Sequence, residues 1–393
     1  MIIIDKPYVS NFLIETIRKN KLPVLENEYS SMYRNEITPY LLVEEDFKLR
    51  YLESNNPKIY SSSENSIGWI LASVQFSDLA KKINLFKNKI NFRALTSKLY
   101  PDFYFREVQM ANLDDVSFEE LPLPFIIKPS TGFFSMGVYK VDSEVEWEQT
   151  KKNILIEMKK VAHLYPTDVL DPNSFIIEQC VEGEEFAFDA YYDESGNPVL
   201  LNAFKHYFAS ENDVSDRVYY TSKSIIEDYF QIFTDFLSEI GALAKVRNFP
   251  VHVEVRINQE GKLMPIEINA LRFGGWCTTA DMTSYAFGFN PYEYFLKGQK
   301  PDWKSVLSKI NDSLYSIIVL DNSTGYDGEM IKTFDYDLLC SGFANLLELR
   351  KVDYKEYPVF GFIFAEIKRD AFAEIEQISV SDLREYTILC DDD

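Results

Sequence analysis

Residues 251–276 read VHVEVRINQEGKLMPIEINALRFGGW. Val251, Val253, Val255 and Ile257 alternate with His252, Glu254 and Arg256; beyond a turn, Ile266 and Ile268 alternate with Glu267 and Asn269. Such period-two alternation describes a hairpin with one apolar and one ionic face. A two-residue turn at Glu260-Gly261 pairs Ile257 with Met264 and sets Glu254 opposite Glu267, and a four-residue turn slips the partner by two positions without changing its face. Carboxylates so placed repel by a few kcal/mol at an effective dielectric of about 20. A cation between them removes that penalty. Asn269 adds a neutral oxygen on the same face, and an all-oxygen set suits Mg2+ held together with phosphates. The alternative is a solvated face on which Glu254 pairs with Arg256 or Lys262.

The chain has 393 residues, enough for two or three domains, and its 46% hydrophobic content supplies a core. With 62 acidic against 40 basic residues the formal charge is -22, which argues against a nucleic-acid partner or an anionic membrane surface. Any anionic ligand must therefore rely on locally gathered Lys and Arg. Cys180, Cys277, Cys340 and Cys390 form no CxxC pair, so neither a zinc site nor a disulfide framework is legible and a reduced cytoplasmic setting is expected. Met1-Ile2-Ile3-Ile4 runs at once into Asp5-Lys6, as a first buried strand and not a signal peptide, and no apolar run reaches membrane-spanning length. His163, His206 and His252 form no HExxH, and GxSxG is absent.

From the N-terminus, a strand at Ile2–Ile4, an N-cap at Ser10, a helix over 11–20 and a strand over 22–25 predict βαβ and a parallel sheet, without a GxGxxG turn for a nicotinamide cofactor. Residues 67–100 read as helical and carry Lys81, Lys82, Lys87, Lys89, Arg93 and Lys98, mostly as a solvated face; Lys89 and Arg93, four apart, present two cations to one anion. A strand over 123–128 ends in Lys128, followed by PSTGFFSMG and a strand over 138–141. Small residues between antiparallel strands can turn backbone N–H groups over phosphate oxygens, although an ordinary hairpin turn reads equally well. Val138-Tyr139 stand where a Walker A loop needs Lys-Ser/Thr, which rejects a P-loop. After a helix over 145–164, FIIEQCVEGEEFAFDAY (175–191) reads as strand, tight turn and strand. Arg217 is the candidate substrate-facing cation of a polar loop, and Ser224–Glu227 reads as a capping box for a long helix with an apolar stripe.

Lys128 before its small-residue loop, the IIEQCVEGEEF segment, and Glu254 with Glu267-x-Asn269 together resemble the ATP-grasp superfamily, most closely its carboxylate-amine ligases, over roughly residues 80–300. The resemblance implies that Lys89 and Lys128 hold ATP phosphates and that Glu178 ends the strand meeting the adenine amino group. Backbone groups of Gln179, Cys180 and Val181 then contact the ring edge, Glu185 binds the ribose, and Lys205 adds a phosphate contact. Glu254, Glu267 and Asn269 are implied ligands of Mg2+, two ions in such enzymes, with Mn2+ as a substitute. Arg272 lies five residues after Glu267, where relatives carry an arginine four after it to steady an acyl-phosphate. Either the turn bulges by one residue, or Arg272 faces the carboxylate substrate from another angle, or it is a structural arginine of the Gly274-Gly275 loop.

The expected architecture is α/β (α+β), an ATP-grasp fold. It comprises an N-terminal βαβ domain (1–95), a linker and lid (96–182, the lid proper from about 121), a larger antiparallel-sheet domain (183–310), and an extension packed on it (311–393) without chemistry of its own. The expected activity is ATP-dependent joining of a small-molecule carboxylate to an amine through an acyl-phosphate, with Lys128 and Arg272 catalytic and ADP and phosphate as products. A thiol or phosphoryl acceptor, and a nucleotide-binding protein without turnover, are the alternatives; a homodimer is left open.

Overall fold

The structure, a computed structural model, describes the chain except residues 55–56, 133–136, 162–170, 211–214 and 391–393. The first four strands, β1 (Ile2–Ile3), β2 (Val24–Leu25), β3 (Leu41–Leu42) and β4 (Tyr60–Ser61), form a parallel sheet in the order β3-β2-β1-β4. Ser10 caps the helix Asn11–Asn20 by accepting from the Leu13 N–H at 3.2 Å, and Leu13, Ile14 and Ile17 face the core, as the sequence predicts. The helices Asn65–Ser73, Asp78–Lys87 and Lys89–Thr96 lead out of this unit.

A second sheet comprises β5 (Phe105–Gln109), β6 (Phe125–Pro129), β7 (Tyr139–Val141) and β8 (Ser174–Gln179), ordered β5-β8-β6-β7 and antiparallel throughout. One face packs on the helix Glu144–Val161, where Trp147 meets the Phe125 ring edge-on at 5.5 Å and Ile154 and Met158 are buried. Residues 133–136 of the loop between β6 and β7, and the expected helix end at 162–164, lie outside the described residues.

The large sheet is built from β9 (Glu184–Tyr192), β10 (Pro198–Leu200), β11 (Phe204–Tyr207), β12 (Val218–Thr221), β13 (Phe249–Ile257), β14 (Leu263–Ala270) and β15 (Leu314–Asp321). Past β16 (Ile331–Phe334) it resumes with β17 (Leu346–Lys351) and β18 (Val359–Ile367); β19 (Thr387–Leu389) pairs only β16. Its order is β14-β13-β9-β11-β12-β15-β18-β17, with β10 on β9. The helix Lys223–Ala244 covers one face with Phe233, Phe236, Leu237 and Ile240. Its cap is Ser222, two residues before the expected Ser224, and accepts from the Ile225 N–H at 3.2 Å.

β8 and β9, the strands either side of the tight turn, belong to different sheets, so Cys180–Gly183 crosses from the small sheet to the large one. Two expectations are corrected. The C-terminal portion is not an extension merely packed on the larger domain, because β15 pairs with β12, and β17 and β18 extend that same sheet. Arg217 faces no substrate. It is buried, binds Asp321 Oδ1 at 3.0 and 2.8 Å through Nε and NH2, and donates to the Ile378 and Ser381 carbonyls, so its role is to tie β12 to the C-terminal strands.

The same C-terminal strands fix the loop after β14. Arg350 on β17 donates to the Trp276 carbonyl at 2.6 Å and to Asp281 Oδ2 at 2.8 Å, while Ser10 and Tyr292 donate to Asp281 Oδ1 at 3.2 and 3.1 Å. Leu271, Trp276 and Cys277 hold φ values of 61°, 57° and 60°. Each such residue costs about 1–3 kcal/mol and persists only where its surroundings over-determine it.

Gly183, in the crossing between sheets, has φ +121°, and a Cβ there would stand 2.3 Å from the Ile257 carbonyl oxygen. Gly183→Ala is expected to destabilise the chain by roughly 3 kcal/mol through combined strain and overlap, read from the urea-unfolding midpoint. A midpoint equal to wild type would mean that the crossing is not held against β13.

Candidate active site

The face of the large sheet away from the helix Lys223–Ala244 carries three rows of polar side chains set by strand register. Asp189, His252 and Asn269 align across β9, β13 and β14; Ala187, Glu254 and Glu267 form the next row, and Glu185 and Arg256 the third. Glu254 and Glu267 are therefore directly opposed, as the hairpin reading requires. The route to that register differs from the one expected. Ile257 pairs with Leu263 and not Met264, and a bulge after Glu254, where Val255 meets Pro265, restores the alignment. A bulge leaves backbone carbonyls without ladder partners. Arg93 supplies them, donating to the Pro265 and Ile266 carbonyls at 2.6 and 3.5 Å.

Glu254 does not pair with Arg256 or Lys262, so the solvated-face alternative fails. The Asn269 amide donates to Glu254 Oε1 at 3.4 Å and to Glu267 Oε1 at 3.1 Å, bridging both carboxylates. Lys89 Nζ stands 3.3 Å from Glu267 Oε2, and His252 Nε2 3.6 Å from Glu254 Oε1. His252 is oriented from behind by Asp189, whose Oδ1 lies 2.8 Å from Nδ1 and also accepts from the Gly274 N–H. Burial, and then the Glu267 charge, push the Glu254 carboxyl well above the ordinary range. Burial acts the same way on Glu267, but Lys89 and Lys128 outweigh it and hold that carboxyl low. The two carboxyls are thus pushed apart, Glu254 toward its protonated form and Glu267 toward its ionised one. Two carboxylates with an amide between them, of which the amide oxygen can be turned inward, fit a hard divalent cation such as Mg2+.

Lys128, at the end of β6, meets Glu178 Oε1 at 2.5 Å, and Arg93 Nε meets Glu178 Oε2 at 2.7 Å. Burial opposes ionisation of Glu178, yet the two cations hold its carboxyl at about 2. Lys89 and Arg93 thus serve two different anions, Glu267 and Glu178, and not one shared anion. Glu185 is buried, takes Arg256 Nε at 2.9 Å and lies 3.4 Å from His206 Nδ1. At the sheet crossing, the Gln179 and Cys180 N–H groups already donate to the Tyr104 and Pro124 carbonyls, and the Val181 carbonyl accepts from Arg256 NH1.

Lys205 requires correction. It stands on the helix-covered side of β11, paired with Glu184 and 5.8 Å above the Phe186 ring, which packs on Tyr229 and Phe233. Its neighbour His206 occupies the polar face, stacked on Tyr219 at 4.3 Å beside Glu185. Parity along the strand, counted from Glu185 and Glu254, distinguishes the two. The offset of Arg272 is absorbed at Leu271, whose left-handed backbone lets the extra residue loop out. Arg272 NH2 then binds Glu64 Oε1 at 2.7 Å, a partner from the N-terminal unit that no local pattern announces. His206, His252, Arg256, Glu64 and Lys87 are the site-facing residues that motif reading passed over; for His252 and Arg256 the alternation with Glu254 already carried the signal.

Residues 121–280 match the model of the ATP-grasp domain. No curated protein matches the chain by sequence. Among solved structures, an L-amino acid ligase from Bacillus licheniformis superposes with a TM-score of 0.68 at 16% identity, covering 100% of this chain and 98% of that one. A carboxyaminoimidazole ribonucleotide synthase from Aspergillus clavatus, complexed with ATP, gives 0.65 at 13% identity over 98% of each chain. A biotin carboxylase from Campylobacter jejuni gives 0.62 at 11%, over 99% and 91%. At these identities the likeness is one of fold, and it bears out the ATP-grasp architecture expected from the sequence. Among the described residues, no helix is long and apolar enough to cross a membrane.

Because a divalent cation needs both carboxylates ionised, Mg2+ binding is expected to release the proton held by Glu254, and affinity is expected to rise with pH until Glu254 ionises without the metal. Calorimetric titration in two buffers of different ionisation enthalpy measures the release. Equal proton release by wild type and Glu254→Gln would refute the assignment.

Proposed function

On the premise of an ATP-grasp domain over residues 121–280, we propose that the chain is an ADP-forming ligase that joins a small-molecule carboxylate to an amine. The observation that carries this reading is the opposed pair Glu254 and Glu267, bridged by Asn269 and flanked by Lys89. ATP lies between the small sheet and the β13–β14 edge of the large one. Glu254, Glu267 and Asn269 would hold Mg2+, which neutralises phosphate charge when bound.

Lys89 and Lys128 bind phosphate oxygens, for which they leave Glu267 and Glu178. Glu185, steadied by Arg256 and His206, receives the ribose hydroxyls, and the backbone at 179–181 borders the base. The substrate carboxylate oxygen attacks the terminal phosphorus, and the bond from phosphorus to the bridging oxygen of ADP breaks. The amine lone pair then attacks the acyl carbon, the carbon–oxygen bond to phosphate breaks, and the amine nitrogen gives up a proton. Arg272 steadies the acyl-phosphate between these steps. This chemistry asks for positioning and charge neutralisation and needs no protein nucleophile. The reading is supported further by the balance of the site: in a chain of net charge -22, five cations converge from four places in the fold, Lys87, the pair Lys89 and Arg93 on one helix, Lys128 and Arg272.

With MgATP and mixed amino acids as candidate acids and amines, ADP and phosphate are expected to appear only when both substrate classes are present; AMP and pyrophosphate would overturn the mechanism. Glu267→Gln is expected to lower turnover by about 100-fold or more while leaving the unfolding midpoint within a few degrees. Turnover at the wild-type rate would remove Glu267 from the site.

A further inference from the structure

Lys87 closes the helix Asp78–Lys87 immediately before Asn88, the cap of the next helix. As one lysine of a basic run it reads as solvated, but its side chain is only 8% exposed. Its ammonium has no hydrogen-bond acceptor among the described residues; the one counter-charge is Glu64 Oε2 at 3.6 Å. The other cations of the site differ in this respect: Lys89, Arg93 and Lys128 each approach a carboxylate oxygen within 3.3 Å. Arg272 repeats the pattern in part. Its NH2 binds Glu64, but its Nε–H is buried without an acceptor. Two cations thus converge on one carboxylate, each with donors left over.

Leaving buried charged donors unsatisfied costs several kcal/mol, and native structures keep such groups where a ligand completes them. Lys87 lines a cavity of about 20 Å³, bordered also by Glu64, Lys89, Gly132, Glu267 and Asn269. That volume holds about one water molecule. The Lys87 ammonium therefore borders the space beside the proposed metal ligands, on the side where Glu64 and Ile67 of the N-terminal unit form the wall, and Arg272 reaches that wall through Glu64.

We propose that Lys87 and Arg272, drawn together by Glu64, form the pocket for the reacting oxyanion, the substrate carboxylate or the phosphoryl group transferred to it. Lys87 contacts the oxyanion directly. Glu64 is a positioning residue: already shared by two cations, it is not available to bind an ammonium group of the substrate, so the pocket selects for an anion at this point. The inference rests on the ligase reading above and adds to it a second cation from the N-terminal unit.

The test titrates inorganic phosphate, and separately acetate, into the chain loaded with MgADP, followed by 31P and 13C line broadening; MgADP binding is measured alone by calorimetry. Lys87→Met is expected to weaken binding of phosphate, acetate or both by about tenfold or more while leaving MgADP affinity within about twofold, and Lys87→Arg to restore most of the loss. Phosphate dependence assigns the pocket to the transferred group, and acetate dependence to the carboxylate before transfer. Glu64→Gln, which frees both cations, is expected to weaken the same anion, with Glu64→Asp recovering it. A wild-type chain that binds MgADP but neither anion, or a Lys87→Met chain that binds both as wild type does, overturns the pocket. A wild-type chain that fails to bind MgADP overturns instead the nucleotide reading on which it rests.

Discussion

The repulsion between Glu254 and Glu267 is the constraint around which the neighbouring charges are arranged. Strand register sets the two carboxylates opposite one another, and backbone hydrogen bonds on both sides of β13 prevent them from drifting apart. The surroundings respond in three ways. The Glu254 carboxyl is shifted toward its protonated form, Lys89 is brought up to Glu267, and the Asn269 amide is inserted between them. None of these removes the opposition; they make it tolerable, and a divalent cation held as proposed above would do so more completely.

Arg93 links this constraint to the rest of the fold. A bulge in β14 is needed to bring Glu267 into line, and the carbonyls it frees would be orphaned if Arg93 did not reach them. The same guanidinium neutralises Glu178 at the end of β8, the strand from which the chain crosses to the large sheet. One side chain therefore sets the distance between the small sheet and the β13–β14 edge, and Lys128, the other partner of Glu178, is placed by the same contact. Closure of the small sheet over a nucleotide, on the function proposed above, would have to loosen or carry this link through Glu178.

The C-terminal strands contribute no residue to the polar face, yet they decide the path of the loop after β14. Arg350 holds the Trp276 carbonyl and Asp281 together, and Asp281 in turn takes Ser10 from the N-terminal unit. These contacts hold the stretch with left-handed Trp276 and Cys277, whereas left-handed Leu271 is fixed by its N–H donating to the Pro250 carbonyl and its carbonyl accepting from the Ser61 N–H. The extension thus fixes the loop that follows Arg272, although nothing in its own sequence announces chemistry.

The sequence by itself determined the ionic face of the hairpin, the parallel N-terminal sheet, the ATP-grasp architecture and the cluster Glu254, Glu267 and Asn269, because side-chain direction along a strand repeats every two residues and local pattern encodes it. Wrong turn length and an unforeseen bulge cancelled without disturbing that face. What only the tertiary structure decided is which charges meet. Lys205 and His206 differ by one residue but lie on opposite faces; β8 and β9 adjoin in sequence but enter different sheets. Arg272 finds Glu64 more than two hundred residues away. Pairings of this kind depend on bulges, left-handed residues and the order of strands in a sheet, and long-range Coulomb attraction leaves no periodic mark on the chain that carries it.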